Sequence, residues 1–250
     1  MLYKNYCTLM TCGLTKEQFD NEIEEINSGN VLVTFEEKYL IGKIIIMNDN
    51  ASEEEFYSIF KKIVEKYSEN IYADIDIKLE EVLIRTMSDS GYKLGVAESI
   101  TGGLICSKLA SIPGCSRVLY EGLVVYDSNA KVRRLHVSSS TIEENGPISR
   151  ETLSELLKGI LSNKEIDFAI ATTGCAGPQS YSKDIPQGMA FVGVASRKEE
   201  RVSKNIYKGD RNEVRESVAN YAMFMLIKMI KKEINLGWGK KWQKKNQKKC

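Results

Sequence analysis

The chain has 250 residues, 42% of them apolar, enough to bury a sizeable core in one or two domains. Its net charge of +1 conceals an asymmetry: residues 231–250 hold eight lysines and one glutamate, so residues 1–230 carry −6 and offer no broad basic footprint for nucleic acid. There is no run of eighteen apolar residues, no secretory leader pattern and no CxxC pair among six cysteines, which excludes a membrane span and reads as a cytoplasmic protein with reduced thiols.

Residues 1–13 are short and ambiguous. Apolar positions 19, 23 and 26 with acids between them predict an amphipathic helix over 14–26, broken by Ser28-Gly29-Asn30. Val31–Phe35 and Gly42–Met47 read as strands, with Glu36-Glu37-Lys38 as the turn between them. Ser52 followed by three glutamates opens a helix through capping and favourable first-turn charge, and its buried face is Phe56, Ile59, Phe60, Ile63 and Tyr67. This is a small α+β domain over 1–74, joined near 74–80 to a second domain.

The second domain, 79–230, alternates helices and strands, which predicts a layered α/β domain. Leu79, Val82, Leu83 and Met87 mark a helix stopped by Gly91; strand 93–97 runs into a polar turn; helix 102–111 ends at Ile112-Pro113-Gly114. Leu119–Tyr126 reads as a buried strand and 129–135 as a short helix carrying Lys131. Ser149 caps a helix with Leu153, Leu156, Leu157 and Ile160 on one face; strand 168–171 meets a second glycine turn, and strands near 189–195 and 201–207 come after it. Asp210 with Glu213 opens the last long helix. Residues 234–250 form a basic tail, read as disordered; its lysines recur every four residues near Trp238 and Trp242, the one place where nucleic acid could bind.

The stretch Ala97-Glu98-Ser99-Ile100-Thr101-Gly102-Gly103 carries the chemistry. Strand, tight turn, helix is the geometry that lifts a side chain from a sheet edge and presents backbone N–H groups to a ligand. Ser99 needs a base to become a nucleophile. His136 lies on an apolar stretch without a carboxylate at helical spacing and reads as a packed or surface residue; Lys131, after the strand that ends in Tyr126, is a second candidate if burial keeps its amine neutral, and spacing alone does not pair it with Ser99. N–H groups around Gly102-Gly103 or Gly174 are candidates to hold an oxyanion or a phosphate, and Arg211 is placed to meet a phosphate at a helix start. No Walker pattern, GxGxxG or metal-ligand cluster occurs, so no metal and no cofactor are expected.

Five motifs in one order give a resemblance: Ala97–Gly103, Pro113-Gly114-Cys115-Ser116, Gly122–Tyr126 with Lys131, Thr173-Gly174-Cys175-Ala176-Gly177-Pro178, and Gly209-Asp210-Arg211. Together they resemble the CinA C-terminal domain family, which contains the nicotinamide-nucleotide amidases, and 1–74 resembles the small domain that precedes it in full-length relatives. The molybdopterin-binding-like domain of those relatives is not expected here. The resemblance implies a metal-independent amide hydrolysis of nicotinamide mononucleotide, a pyridine nucleotide, in a homo-oligomer. Ser99 would be nucleophile and Lys131 general base, with Tyr126 assisting; Thr101, Gly102, Gly103, Thr173, Gly174 and Arg211 would hold substrate, and Glu98 would orient its neighbours. The alternative is a nucleotide-binding protein that keeps this fold without turnover. Three departures stand out: Ile100 replaces the family's usual cysteine, Asp127-Ser128-Asn129 replaces Ser-Asn-Glu, and Gln179–Gln187 replaces a glycine-rich loop.

Overall fold

A computed structural model of the chain describes residues 6–24, 26 and 29–234. Ser28 and the basic tail beyond Ile234 lie outside them. The described chain divides into two compact units, one running to Lys78 and including the stretch from Lys231, the other Leu79–Ile230.

The first unit runs β1 (Tyr6–Cys12), α1 (Lys16–Ile23), β2 (Val31–Lys38), β3 (Ile41–Asn48), α2 (Glu53–Lys66) and β4 (Ile71–Ala73). Its antiparallel sheet has the order β2-β3-β1-β4, so the ambiguous first residues supply an interior strand. Thr15 closes a capping box with Gln18 at the start of α1, and Ser52 accepts the Glu55 N–H at the start of α2. Phe56, Ile59, Phe60, Ile63 and Tyr67 pack with Leu9, Phe19, Phe35, Ile44 and Ile46 into one core, as the spacing requires. The β2–β3 turn differs from expectation. Glu36, Glu37 and Lys38 continue the strand to a Lys38–Ile41 pair, and Tyr39 and Leu40 make the turn at φ 53° and 64°. Positive φ at both positions is the type I′ form of a two-residue hairpin, which matches the twist of its strands; here side-chain-bearing residues accept it, so no glycine marks the turn.

The second unit runs α3 (Leu79–Ser90), β5 (Leu94–Glu98), α4 (Leu104–Ala110), a 3-10 turn (Cys115–Arg117), β6 (Leu119–Val124), α5 (Ser128–Leu135), α6 (Ser139–Asn145), α7 (Arg150–Leu161), β7 (Phe168–Gly174), β8 (Met189–Ser196), β9 (Glu200–Ile206) and α8 (Arg211–Glu233) as far as Ile230. The sheet order is β6-β5-β7-β8-β9, with β6, β5 and β7 parallel and β8 and β9 antiparallel. It is a mixed α/β architecture. Leu153, Leu156, Leu157 and Ile160 of α7 cover one face together with Ala97, Ala169, Ala171 and Phe191. Gly95 lets α7 approach, since a Cβ there would stand 2.4 Å from Ile160. Helix α8 buries side chains around most of its circumference, from Val214 to Ile230, as a helix inside a core does.

Strand β6 corrects the sequence reading. It is an edge strand, not a buried one, and leaves Tyr120 and Val124 about half exposed, at 47% and 53%. A parallel β5–β6 pair carries apolar side chains whether or not a further strand lies outside it, so apolar content alone misplaces the edge.

Topology selects the site. From β5 the chain goes to β6 on one side, then crosses through α5, α6 and α7 to β7 on the other. The carboxyl end of β5 is therefore a switch point, where diverging connections open a crevice. Ser99 is the first residue beyond that end.

Candidate active site

The turn after β5 has an unusual support. Gly102 and Gly103 adopt φ 58° and 93°, and Gly103, at the α4 cap position, has no side chain to close the helix. Glu98, fully buried in the strand below, does so instead. Its carboxylate accepts the N–H groups of Gly103 at 2.8 Å, Ile105 at 3.1 Å and Cys106 at 2.9 Å. Burial, with Glu98 adding to it, pushes the Cys106 thiol well above its ordinary range, so it stays a neutral donor beside the carboxylate. The N–H of Gly102 donates to Ser99 O at 3.2 Å. Both glycine N–H groups expected to face a ligand are thus used internally. Those of Ile100 and Thr101, one and two residues past Ser99, donate to no described residue.

Lys131 enters from α5, whose start is capped by the Asp127 carboxylate on the Asn129 N–H. The lysine is 1% exposed. Its Nζ lies 2.7 Å from Val125 O, 3.1 Å from Tyr126 O and 3.2 Å from Ser99 Oγ. Burial pulls its pKa down from 10.5 to about 8, against the opposing pull of Asp127. The three partners sort the two protonation states. A neutral amine has two N–H groups and one lone pair. The carbonyls can only accept, so they take the N–H groups, and the lone pair is left to the one partner able to donate, the Ser99 hydroxyl.

Tyr126 makes two contacts, through different groups. It is the Tyr126 main-chain carbonyl that reaches Lys131, while the phenol oxygen accepts from Arg211 Nη2 at 2.9 Å. Arg211 Nη1 donates to Gly177 O at 2.6 Å, so this arginine ties the second glycine turn to the strand end that supports Lys131. Asp210 and Glu213 cap α8 reciprocally, as their spacing predicts, and set Arg211 in its first turn. Thr173 and Gly174 have other partners. The Thr173 hydroxyl donates to Pro147 O at 2.7 Å, and Gly174 is required by packing, since a Cβ would stand 2.6 Å from Met189 O. His136 is exposed, in the left-handed conformation at φ 56° where α5 ends. Among the described residues no cluster of His, Cys, Asp and Glu is of a kind to hold a metal ion, and no helix is long and apolar enough to cross a membrane.

The buried lysine, its serine and the glycine turn all fall within one known family domain. The CinA C-terminal domain profile matches residues 76–230. The chain belongs to this family. A CinA-like protein of Fusobacterium nucleatum subsp. nucleatum is 30% identical over 229 residues, covering 90% of this chain and 56% of that protein. One from Kosmotoga olearia is 32% identical over 227 residues, covering 89% and 55%. The chain spans little more than half the length of these curated relatives. Among solved structures, the competence/damage inducible protein CihA from Agrobacterium tumefaciens gives a TM-score of 0.57 at 32% identity, covering 62% of this chain and 98% of that one. A CinA superfamily protein from Enterobacter cloacae gives 0.58 at 28%, covering 64% and 97%.

Two residues of this CinA domain escape a sequence reading. Thr172, not Thr173, meets the Ser99–Gly103 turn: its carbonyl accepts the Ser99 N–H at 3.1 Å and its hydroxyl lies 2.9 Å from that of Thr101. Strand parity decides between the two threonines, and the Glu98–Thr172 pairing shows it only once the register is known. Arg215 donates from Nη2 to Thr101 O at 2.8 Å. The sequence does carry a signal for it, because it lies one helical turn after Arg211.

Proposed function

We propose that this chain is a metal-independent amidohydrolase that converts nicotinamide mononucleotide and water to nicotinate mononucleotide and ammonia. The observation that carries this reading is the buried Lys131 amine 3.2 Å from Ser99 Oγ, with two carbonyls occupying its other valences. Lys131 takes the hydroxyl proton as Ser99 attacks the carboxamide carbon. The N–H groups of Ile100 and Thr101, which have no acceptor among the described residues, are the donors left for the tetrahedral oxyanion. The ammonium of Lys131 then protonates the departing nitrogen, leaving a nicotinoyl ester on Ser99. Water attacks that ester with Lys131 again as base, and the serine is restored.

Arg211 supports an anionic substrate. Its hydrogen-bond partners, a carbonyl and a phenol, are neutral, and no ion pair among the described residues offsets its charge. A phosphate would supply that charge with bidentate geometry. The test compares nicotinamide mononucleotide with nicotinamide riboside, which keeps the carboxamide and lacks the phosphate. Ammonia release should favour the mononucleotide by at least tenfold in kcat/KM, and Arg211→Ala should erase most of that preference. Equal rates on both substrates would remove the phosphate from the reading, and no release from either would remove the amidase.

A further inference from the structure

We propose that Arg215 is a positioning residue: it holds the Ser99–Thr101 turn in its reactive shape through the Thr101 carbonyl, with Thr172 as the opposing support. This rests on reading Ser99 as the nucleophile. The turn is gripped on two sides. On the sheet side, Thr172 accepts the Ser99 N–H and shares a hydrogen bond with the Thr101 hydroxyl, and both threonines are fully buried. On the helix side, the Arg215 guanidinium meets Thr101 O, which also accepts the Leu104 N–H at 3.3 Å, and lies 3.6 Å from where a Cβ on Gly102 would be. Arg215 Nη1 donates to Asn212 Oδ1 at 3.2 Å, which steadies the arginine on its own helix.

No carboxylate among the described residues pairs with Arg215, so its charge is directed at a peptide carbonyl. That carbonyl belongs to the segment whose Ile100 and Thr101 N–H groups are unspent. Gly102, at φ 58°, has the conformational freedom that would let this segment swing if the carbonyl were released. Arg211 and Arg215 therefore divide two tasks one helical turn apart: the first faces the substrate anion, the second shapes the turn that receives the transition state.

The experiment measures Arg215→Ala in the full chain, with ammonia release from nicotinamide mononucleotide and labelling of Ser99 by a fluorophosphonate probe as parallel readouts. In the probe reaction Ser99 Oγ bonds to phosphorus, fluoride leaves and the hydroxyl proton passes to Lys131. The expected result is a fall of roughly a hundredfold in kcat with KM within about twofold, the size of loss that a 1 Å misplacement produces. Labelling should slow in parallel, and added guanidinium ion should restore a large part of both rates. Thr172→Val should slow labelling in the same way and Thr172→Ser should not. A raised KM with unchanged kcat, or wild-type labelling rates in Arg215→Ala and Thr172→Val, would overturn the proposal. If the wild type labels at Ser99 but releases no ammonia, the substrate assignment fails while the positioning role is still decided by the labelling rates.

Discussion

Lys131 ties the stability of the fold to the loss of one proton. Below about pH 8 its amine is protonated in both folded and unfolded chains, and the folded state bears the cost of a buried charge. Between about 8 and 10.5 the unfolded chain keeps the proton while the folded chain releases it, so stability rises with pH across that window and levels above it. We predict that wild type gains roughly 3 kcal/mol relative to Lys131→Met as pH passes from 8 to 10.5, read by urea unfolding at each pH. A difference that stays constant with pH would mean that the folded chain does not depress this amine. The pairing of Ser99 with Lys131 is legible in the sequence only through the order of the family's motifs, because spacing puts a lysine after the next strand without showing that it is buried or that it, rather than His136, meets the serine. The role of Tyr126 is not. Spacing places the residue but does not tell a phenol from a main-chain carbonyl, and the two point to different partners, Arg211 and Lys131.

At the level of elements, α4 depends on a residue outside itself. Seven residues are too few to form a stable helix unaided, and its glycine cap offers no side chain, so Glu98 from β5 satisfies three N–H groups. Removing it leaves those donors without an acceptor. Glu98→Ala should cost about 3 kcal/mol or more and Glu98→Gln a smaller amount, since one acceptor oxygen remains. Denaturant midpoints at fixed m-value check this, and an alanine variant as stable as wild type would refute the capping role. The sequence suggests a carboxylate that orients its neighbours, but the inward face of a strand with no visible partner does not reveal which N–H groups it serves. The same limit explains β6 and the β2–β3 hairpin. Apolar content marks β6 as a strand but not as an edge, and Tyr39-Leu40 turns without the glycine or asparagine that would announce it.

Over the whole molecule, the site gathers pieces from four distant stretches: the end of β5, the β6–α5 junction, β7 and the first turns of α8. Every residue placed in it lies within Leu79–Ile230, and the link from Arg215 to Thr101 spans 114 positions of sequence. Such closure is readable from motif order only because β5, β6, β7 and β9 run in one direction, so that the connections leaving them start at one end of the sheet. The central claim is that a neutral Lys131 activates Ser99 for amide hydrolysis. The measurement that bears on it most directly is ammonia release from nicotinamide mononucleotide, as kcat/KM against pH, for wild type and Ser99→Ala. The wild-type rate should climb through a midpoint near 8 and level off, and the alanine variant should lose roughly a thousandfold or more at every pH. Undiminished turnover in Ser99→Ala, or a wild-type rate that is flat from pH 6 to 10, would contradict it.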